Sequence, residues 1–83
     1  MNISRTEQRV LHVLALGGRI QHGFDDTGRL ATARCFTRDG HVLSDCSFAL
    51  FRRLKRRGLI TSHGGAAYRI TRLGLEAVRA QCD

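Results

Sequence analysis

Apolar and polar residues follow two different periods along this chain, and the switches between them mark out its elements. From Arg5 to about Leu16 the period is helical. Val10, Leu11, Val13 and Leu14 form an apolar stripe, with Arg5, Gln8, Arg9 and His12 on the other side. Ser4-Arg5-Thr6-Glu7 reads as a capping box, in which Ser4 caps the third helical N–H and Glu7 reaches back. Gly17-Gly18 end the helix.

The period then shortens. Arg19 to Phe24 is a short strand candidate, and Asp25-Asp26-Thr27-Gly28 is a turn by composition. Arg29 to Thr37 is a second, longer strand, rich in Thr, Cys and Phe. Arg38-Asp39-Gly40-His41 is another turn, with Asp-Gly at its centre, and Val42-Leu43 pair briefly after it. The middle of the chain is therefore a β-hairpin or small meander.

Helical spacing returns from Asp45 to Arg57. Ser44 is read as the N-cap, with Asp45 in the first turn. At 100° per residue, Cys46, Leu50, Phe51 and Leu54 cluster on one side and face the core. Arg52, Arg53, Lys55 and Arg56 spread over the opposite side, and Phe48 falls among them. Gly58 stands where a helix ends in a left-handed residue. Leu59 to Ser62 and Ala67 to Ile70 are short β-like runs around Gly64-Gly65, a hairpin signal. Thr71 caps a last helix, Arg72 to about Gln81. Leu73, Ala77 and Ala80 form one apolar stripe there, and Leu75 and Val78 lie on another side. A helix apolar on two sides contacts two neighbours. The second is either the first helix or the other subunit of a homodimer.

This order predicts one α+β domain over residues 1–83, with three helices, a central hairpin or meander and a C-terminal β wing. The pattern LKRRGLI…YRIT…G resembles the back half of a winged-helix domain, in which a recognition helix is followed by a wing and a closing helix. A helix-turn-helix needs two helices in close succession. Here a hairpin takes the place of the first.

Charge sharpens this reading. Residues 46–75 contain no Asp or Glu and hold seven cations: Arg52, Arg53, Lys55, Arg56, Arg57, Arg69 and Arg72. The whole excess of +7 comes from them, since the rest of the chain has equal numbers of acids and bases. Like charges at Arg52 and Arg56 repel across one helical turn at a cost of roughly 0.2–0.5 kcal/mol. A run of this density exceeds what solubility requires, and it suits an acidic partner, either a phosphate backbone or an acidic protein groove. Phe48 has two readings: the hairpin covers it, or it anchors a partner, as aromatic and Arg residues do at binding hot spots.

Other chemistry is missing. No apolar run approaches the ~20 residues of a membrane span, and no signal peptide is apparent, so a cytoplasmic location is expected. Cys35, Cys46 and Cys82 lack C-x-x-C spacing, which argues for buried or incidental thiols over a disulfide framework or zinc site. His12, His22, His41 and His63 are scattered, and no phosphate-cradling glycine loop is present. No cofactor, metal or catalytic residue is assigned, and an enzyme is the least favoured class.

Three segments, SRTEQRVLHVLALGGRI, LSDCSFALFRRLKRRGLI and YRITRLGLEAVRAQ, together with the turn RDGHVLSDC, resemble the YjhX-type toxin family over nearly all the chain. The resemblance implies a small bacterial toxin of a toxin–antitoxin pair. Such a toxin binds DNA topoisomerase I and blocks relaxation of negatively supercoiled DNA, and its antitoxin partner resembles an acetyltransferase. On that basis Arg52, Arg53, Lys55, Arg56 and Arg57 supply the field of a non-enzymatic inhibitor. Phe48 and Tyr68 are candidate anchors, and Arg69 and Arg72 extend the basic surface. The alternative is a winged-helix regulator that binds duplex DNA through the same residues.

Overall fold

In the computed structural model, which describes residues 2–80, helix α1 spans Arg5–Ala15 and opens with the expected capping box. The Ser4 hydroxyl accepts the Glu7 N–H at 3.1 Å, and the Glu7 carboxylate accepts the Ser4 N–H at 2.8 Å. Leu16 closes the helix, and the chain leaves through Gly17 with φ 105°. Strands β1 (Arg19–Phe24), β2 (Leu30–Phe36) and β3 (Val42–Leu43) form an antiparallel sheet in that order. In the hairpin Ile20 lies opposite Cys35 and His22 opposite Ala33, and a bulge between Gly23 and Phe24 ends the regular register. β3 pairs only with the last two residues of β2.

Helix α2 spans Phe48–Arg56, and its N-cap is Ser47, not Ser44. The Ser47 hydroxyl accepts the Leu50 N–H at 3.1 Å. Both serines are competent caps, and packing chooses between them. Asp45 stays outside the helix and binds Arg9 of α1 at 2.7 Å. Cys46 enters the core from the extended segment ahead of the helix. Arg57 caps the other end, and Gly58 takes the left-handed conformation expected of it, with φ 75°.

The C-terminal hairpin is shorter than its sequence suggests. Strands β4 (Ile60–Thr61) and β5 (Arg69–Ile70) pair over two residues each. The turn uses the remainder: Gly64 and Gly65 are both left-handed, Ala66 donates to the His63 carbonyl, and the Ser62 hydroxyl donates to the Ala66 carbonyl. Tyr68 exchanges both backbone hydrogen bonds with Ile20, at 2.7 and 3.0 Å, and so joins the C-terminal hairpin to β1.

The last helix, α3 (Arg72–Ala80), is capped by the Thr71 hydroxyl, which accepts the Gly74 N–H at 3.0 Å. Gly74 is required by a close approach: a Cβ there would sit 2.4 Å from the Leu59 carbonyl oxygen. α3 packs on α1, so the first helix is one of its neighbours, while Leu73 remains 41% exposed. The expected end of this helix at Gln81, and Cys82, lie outside the described residues.

One core joins all of these elements. Leu11, Ile20, Phe51, Leu54 and Leu59 are fully buried, with Val10, Leu14, Leu50, Ile60 and Ala77 around them. Burying each large side chain contributes about 1.5–3 kcal/mol. Phe51 is central, and the Tyr68 ring meets it edge-on at 5.0 Å.

Candidate functional site

The basic helix presents two flanks of different character. Arg53 and Arg57 face α1, where the one buried charged residue among those described, Glu7, receives them. Glu7 Oε2 is 3.1 Å from Arg57 Nη1 and 3.8 Å from Arg53 Nε. Arg57 also donates to the Asn2 carbonyl. Burial alone would raise the Glu7 carboxyl, but hydrogen bonds with Ser4 and the charges of Arg57 and Arg53 outweigh it and hold the group below its usual range. The acid that pairs with this half of the run thus comes from a helix about fifty positions earlier.

The other flank faces β2. Arg52, Lys55 and Arg56 are exposed, and no ion-pair partner is found for them among the described residues. With Leu30 they line a notch of about 290 Å³. The Arg52 guanidinium lies 5.9 Å from the centre of the Phe48 ring, and the Lys55 ammonium 5.9 Å from that of Tyr68. Such contacts orient the cations at about 0.5–1 kcal/mol each without neutralising them.

Phe48 is covered only in part. It packs on the core through Phe51, with ring centres 5.9 Å apart, yet it stays half-buried. Its free side opens on a hollow of about 510 Å³ over the hairpin, shared with Gln21, Thr32, Arg34 and Phe36. Tyr68, by contrast, is 9% exposed. Its ring lies between Phe51 and His22, so the residue read as an anchor is a core residue. Arg69 is committed elsewhere, donating to the Gly17 and Gly18 carbonyls at 3.0 and 3.1 Å. Arg72 sits 3.7 Å from Glu76 on an exposed turn of α3. The nine candidates therefore separate into a cluster of Phe48, Arg52, Lys55 and Arg56, a second set of Arg53, Arg57, Tyr68 and Arg69 engaged in internal contacts, and Arg72, which stands exposed on α3.

Sequence reasoning missed the hollow. Gln21, Thr32, Arg34 and Phe36 look like ordinary outward positions of a hairpin, and only α2 makes their surface concave. His22 was also passed over. Its ring stands edge-on to Phe24 and Tyr68, and its shielded Nδ1 lacks a hydrogen-bond partner among the described residues.

The remaining carboxylates and thiols sit in local contacts. Asp25 accepts hydrogen bonds from the Thr27 hydroxyl and the Arg29 and Thr27 N–H groups, which hold its carboxyl below the usual range and organise the turn. Cys35 and Cys46 are buried free thiols, and the neighbouring Cys46 thiol, with burial, pushes Cys35 far up. Among the described residues no three His, Cys, Asp or Glu side chains gather as metal ligands, and no helix is long and apolar enough to cross a membrane.

Comparison with known proteins places the chain in a family. A family described as "Putative toxin of bacterial toxin-antitoxin pair" matches residues 1–83. A UPF0386 protein of Parvibaculum lavamentivorans is 59% identical over the whole chain and 98% of its own length. Those of Caulobacter vibrioides and Aliivibrio fischeri are 58% and 51% identical over the whole chain, covering 91% and 98% of their lengths. No solved structure matches the chain. A match along its full length, joined to relatives above half identity over that same length, means that this chain belongs to the YjhX toxin family.

Proposed function

We propose that this protein is a non-enzymatic toxin that binds bacterial DNA topoisomerase I through the flank of α2 carrying Arg52, Lys55 and Arg56, with Phe48 as the apolar anchor. The observation that carries the reading is the separation of the basic run. Two of its five cations share the single carboxylate of Glu7, Arg57 closely and Arg53 at longer range, and the other three stand together beside a half-buried aromatic ring. Repulsion among unpaired cations costs stability, so a partner that relieves it gains both charge pairing and apolar contact. The mechanism is occupancy: the cationic flank pairs with an acidic surface of the enzyme, and the bound toxin obstructs the neighbouring path of the DNA. The protein works in the cytoplasm, and an antitoxin resembling an acetyltransferase would neutralise it by covering the same flank.

A second reading keeps the winged-helix comparison. The order helix α2, hairpin β4–β5, helix α3 is that of a recognition helix, wing and closing helix, so the protein would bind duplex DNA as a regulator. Against it, the N-terminal residue of α2, the end that reads bases in such domains, shares its surroundings with the β1–β2 hairpin.

The test is a salt-titrated binding assay of the purified protein with topoisomerase I alone, with duplex DNA alone and with both, beside a supercoil-relaxation assay. Saturable binding to the enzyme without DNA, and inhibition at matching concentrations, are expected. Tight, salt-steep binding to duplex DNA with none to the enzyme would replace this reading by the regulator.

A further inference from the structure

Charge pairing with an enzyme surface needs the notch but gives no role to the hollow beside it. The two adjoin where Arg52 meets Phe48 on α2. Phe48 lines the hollow, and Arg52, which lies over the Phe48 ring, lines the notch with Lys55 and Arg56. An aromatic ring, polar side chains and a row of cations therefore lie on one continuous surface. At about 510 Å³ the hollow is an open depression with room for a small group laid against Phe48.

We propose that this joint surface binds single-stranded DNA, with phosphates along Arg52, Lys55 and Arg56 and unpaired bases in the hollow against Phe48. Proteins that hold single strands combine a cationic track with aromatic rings on which bases stack, and both parts are adjacent here. The remaining lining suits base edges. Gln21 and Thr32 each offer a donor and an acceptor, and Arg34 offers donors only. His22 also lines the hollow.

A duplex fits this arrangement less well. Its bases are stacked inside, and a recognition helix reaches their edges with its first residues. The first residue of α2 is Phe48, which is packed on Phe51 and walled by the hairpin. That the strand is DNA, not RNA, rests on the topoisomerase reading above. That it is single rests on the hollow.

The experiment is fluorescence anisotropy with the full chain and labelled twelve-nucleotide oligo(dT), a twelve-base-pair duplex and oligo(rU), each over a range of salt. Oligo(dT) should bind at least about tenfold more tightly than the duplex. Its log affinity should fall with log salt at a slope of about −2, as expected for three cations each contributing about 0.7. Phe48→Leu keeps the packing on Phe51 but loses the stacking face, and should weaken oligo(dT) about tenfold. Arg52→Gln with Arg56→Gln should flatten the slope by more than one unit. Amide shifts on adding oligo(dT) should fall on Gln21, His22 and Thr32. Equal affinity for duplex and single strand, an unchanged Phe48→Leu, or shifts absent from the hairpin would overturn the proposal. Tighter binding of oligo(rU) would overturn its assignment to DNA. A relaxation assay on the same samples separates the two readings. Strand binding without inhibition supports this proposal and counts against the inhibitor, and inhibition without strand binding does the reverse.

Discussion

The two flanks of α2 are built from the same residue types within one and a half turns, and they end up in opposite states. Arg53 and Arg57 meet a buried carboxylate and serve as clasps between α1 and α2. Arg52, Lys55 and Arg56 meet a half-buried ring and solvent. A run of cations is thus neither a binding site nor a solvated face as a whole. Its role is divided residue by residue according to which element lies across from each side chain.

Two double charge reversals that lower the net charge equally give the sharpest contrast. Arg52→Glu with Arg56→Glu should abolish binding to the partner, a loss of at least about a hundredfold, while leaving stability within about 0.5 kcal/mol, as for other exposed sites. Arg53→Glu with Arg57→Glu places two acids beside Glu7 and should cost about 2–3 kcal/mol of stability. Thermal melts together with the binding assay check both. If the first pair also unfolds the protein, or the second abolishes binding without loss of stability, the division between the flanks is wrong.

Glu7→Gln examines the clasp alone. Glutamine preserves the capping box, since it still accepts the Ser4 N–H, but it leaves Arg57 and Arg53 without their anion. A loss of about 1–2 kcal/mol is expected, tempered because both arginines are partly exposed. Arg57→Gln should cost about 1 kcal/mol, and a double-mutant cycle with Glu7→Gln should return a coupling of similar size.

Acid should reproduce part of the same effect. The Glu7 carboxyl is held below its usual value in the folded protein, so its contribution is present above the unfolded value of about 4.3 and is lost as pH falls through the folded one. Melting temperatures measured from pH 6 to 3 should converge for the wild type and Glu7→Gln at the acid end. The smallest effect is expected at Arg69→Lys, which keeps the charge but surrenders the paired contact with the Gly17 and Gly18 carbonyls. A loss below about 1 kcal/mol with unchanged binding would identify Arg69 as a fastener of the wing.

How much of this was legible depended on the distance along the chain over which each signal acts. The α1 capping box, the span of β1 and the left-handed Gly58 are decided by a few adjacent residues and were read correctly. The start of α2 was misread because Ser44 and Ser47 are equally good local caps, and the choice depends on Asp45 reaching Arg9 and Cys46 reaching the core. The basic run was visible, but its division was not, because Glu7 lies far off in sequence. Tyr68 was misjudged for a similar reason. Its neighbours in the chain suggest an exposed wing, while its ring belongs between Phe51 and His22. In each failure a local rule was followed faithfully and a long-range contact decided the outcome.

The brevity of β3 has a consequence for how this chain must be made. Because β3 pairs only with Cys35 and Phe36, the Leu30–Arg34 stretch of β2 has no strand beside it on that edge among the described residues, and α2 is the helix that packs against β2. Until α2 docks, that edge is a template on which another nascent chain can add a strand. The same helix that carries the cations therefore also guards the sheet against aggregation. Variants that delay its docking should be found first in inclusion bodies, before any loss of binding is noticed.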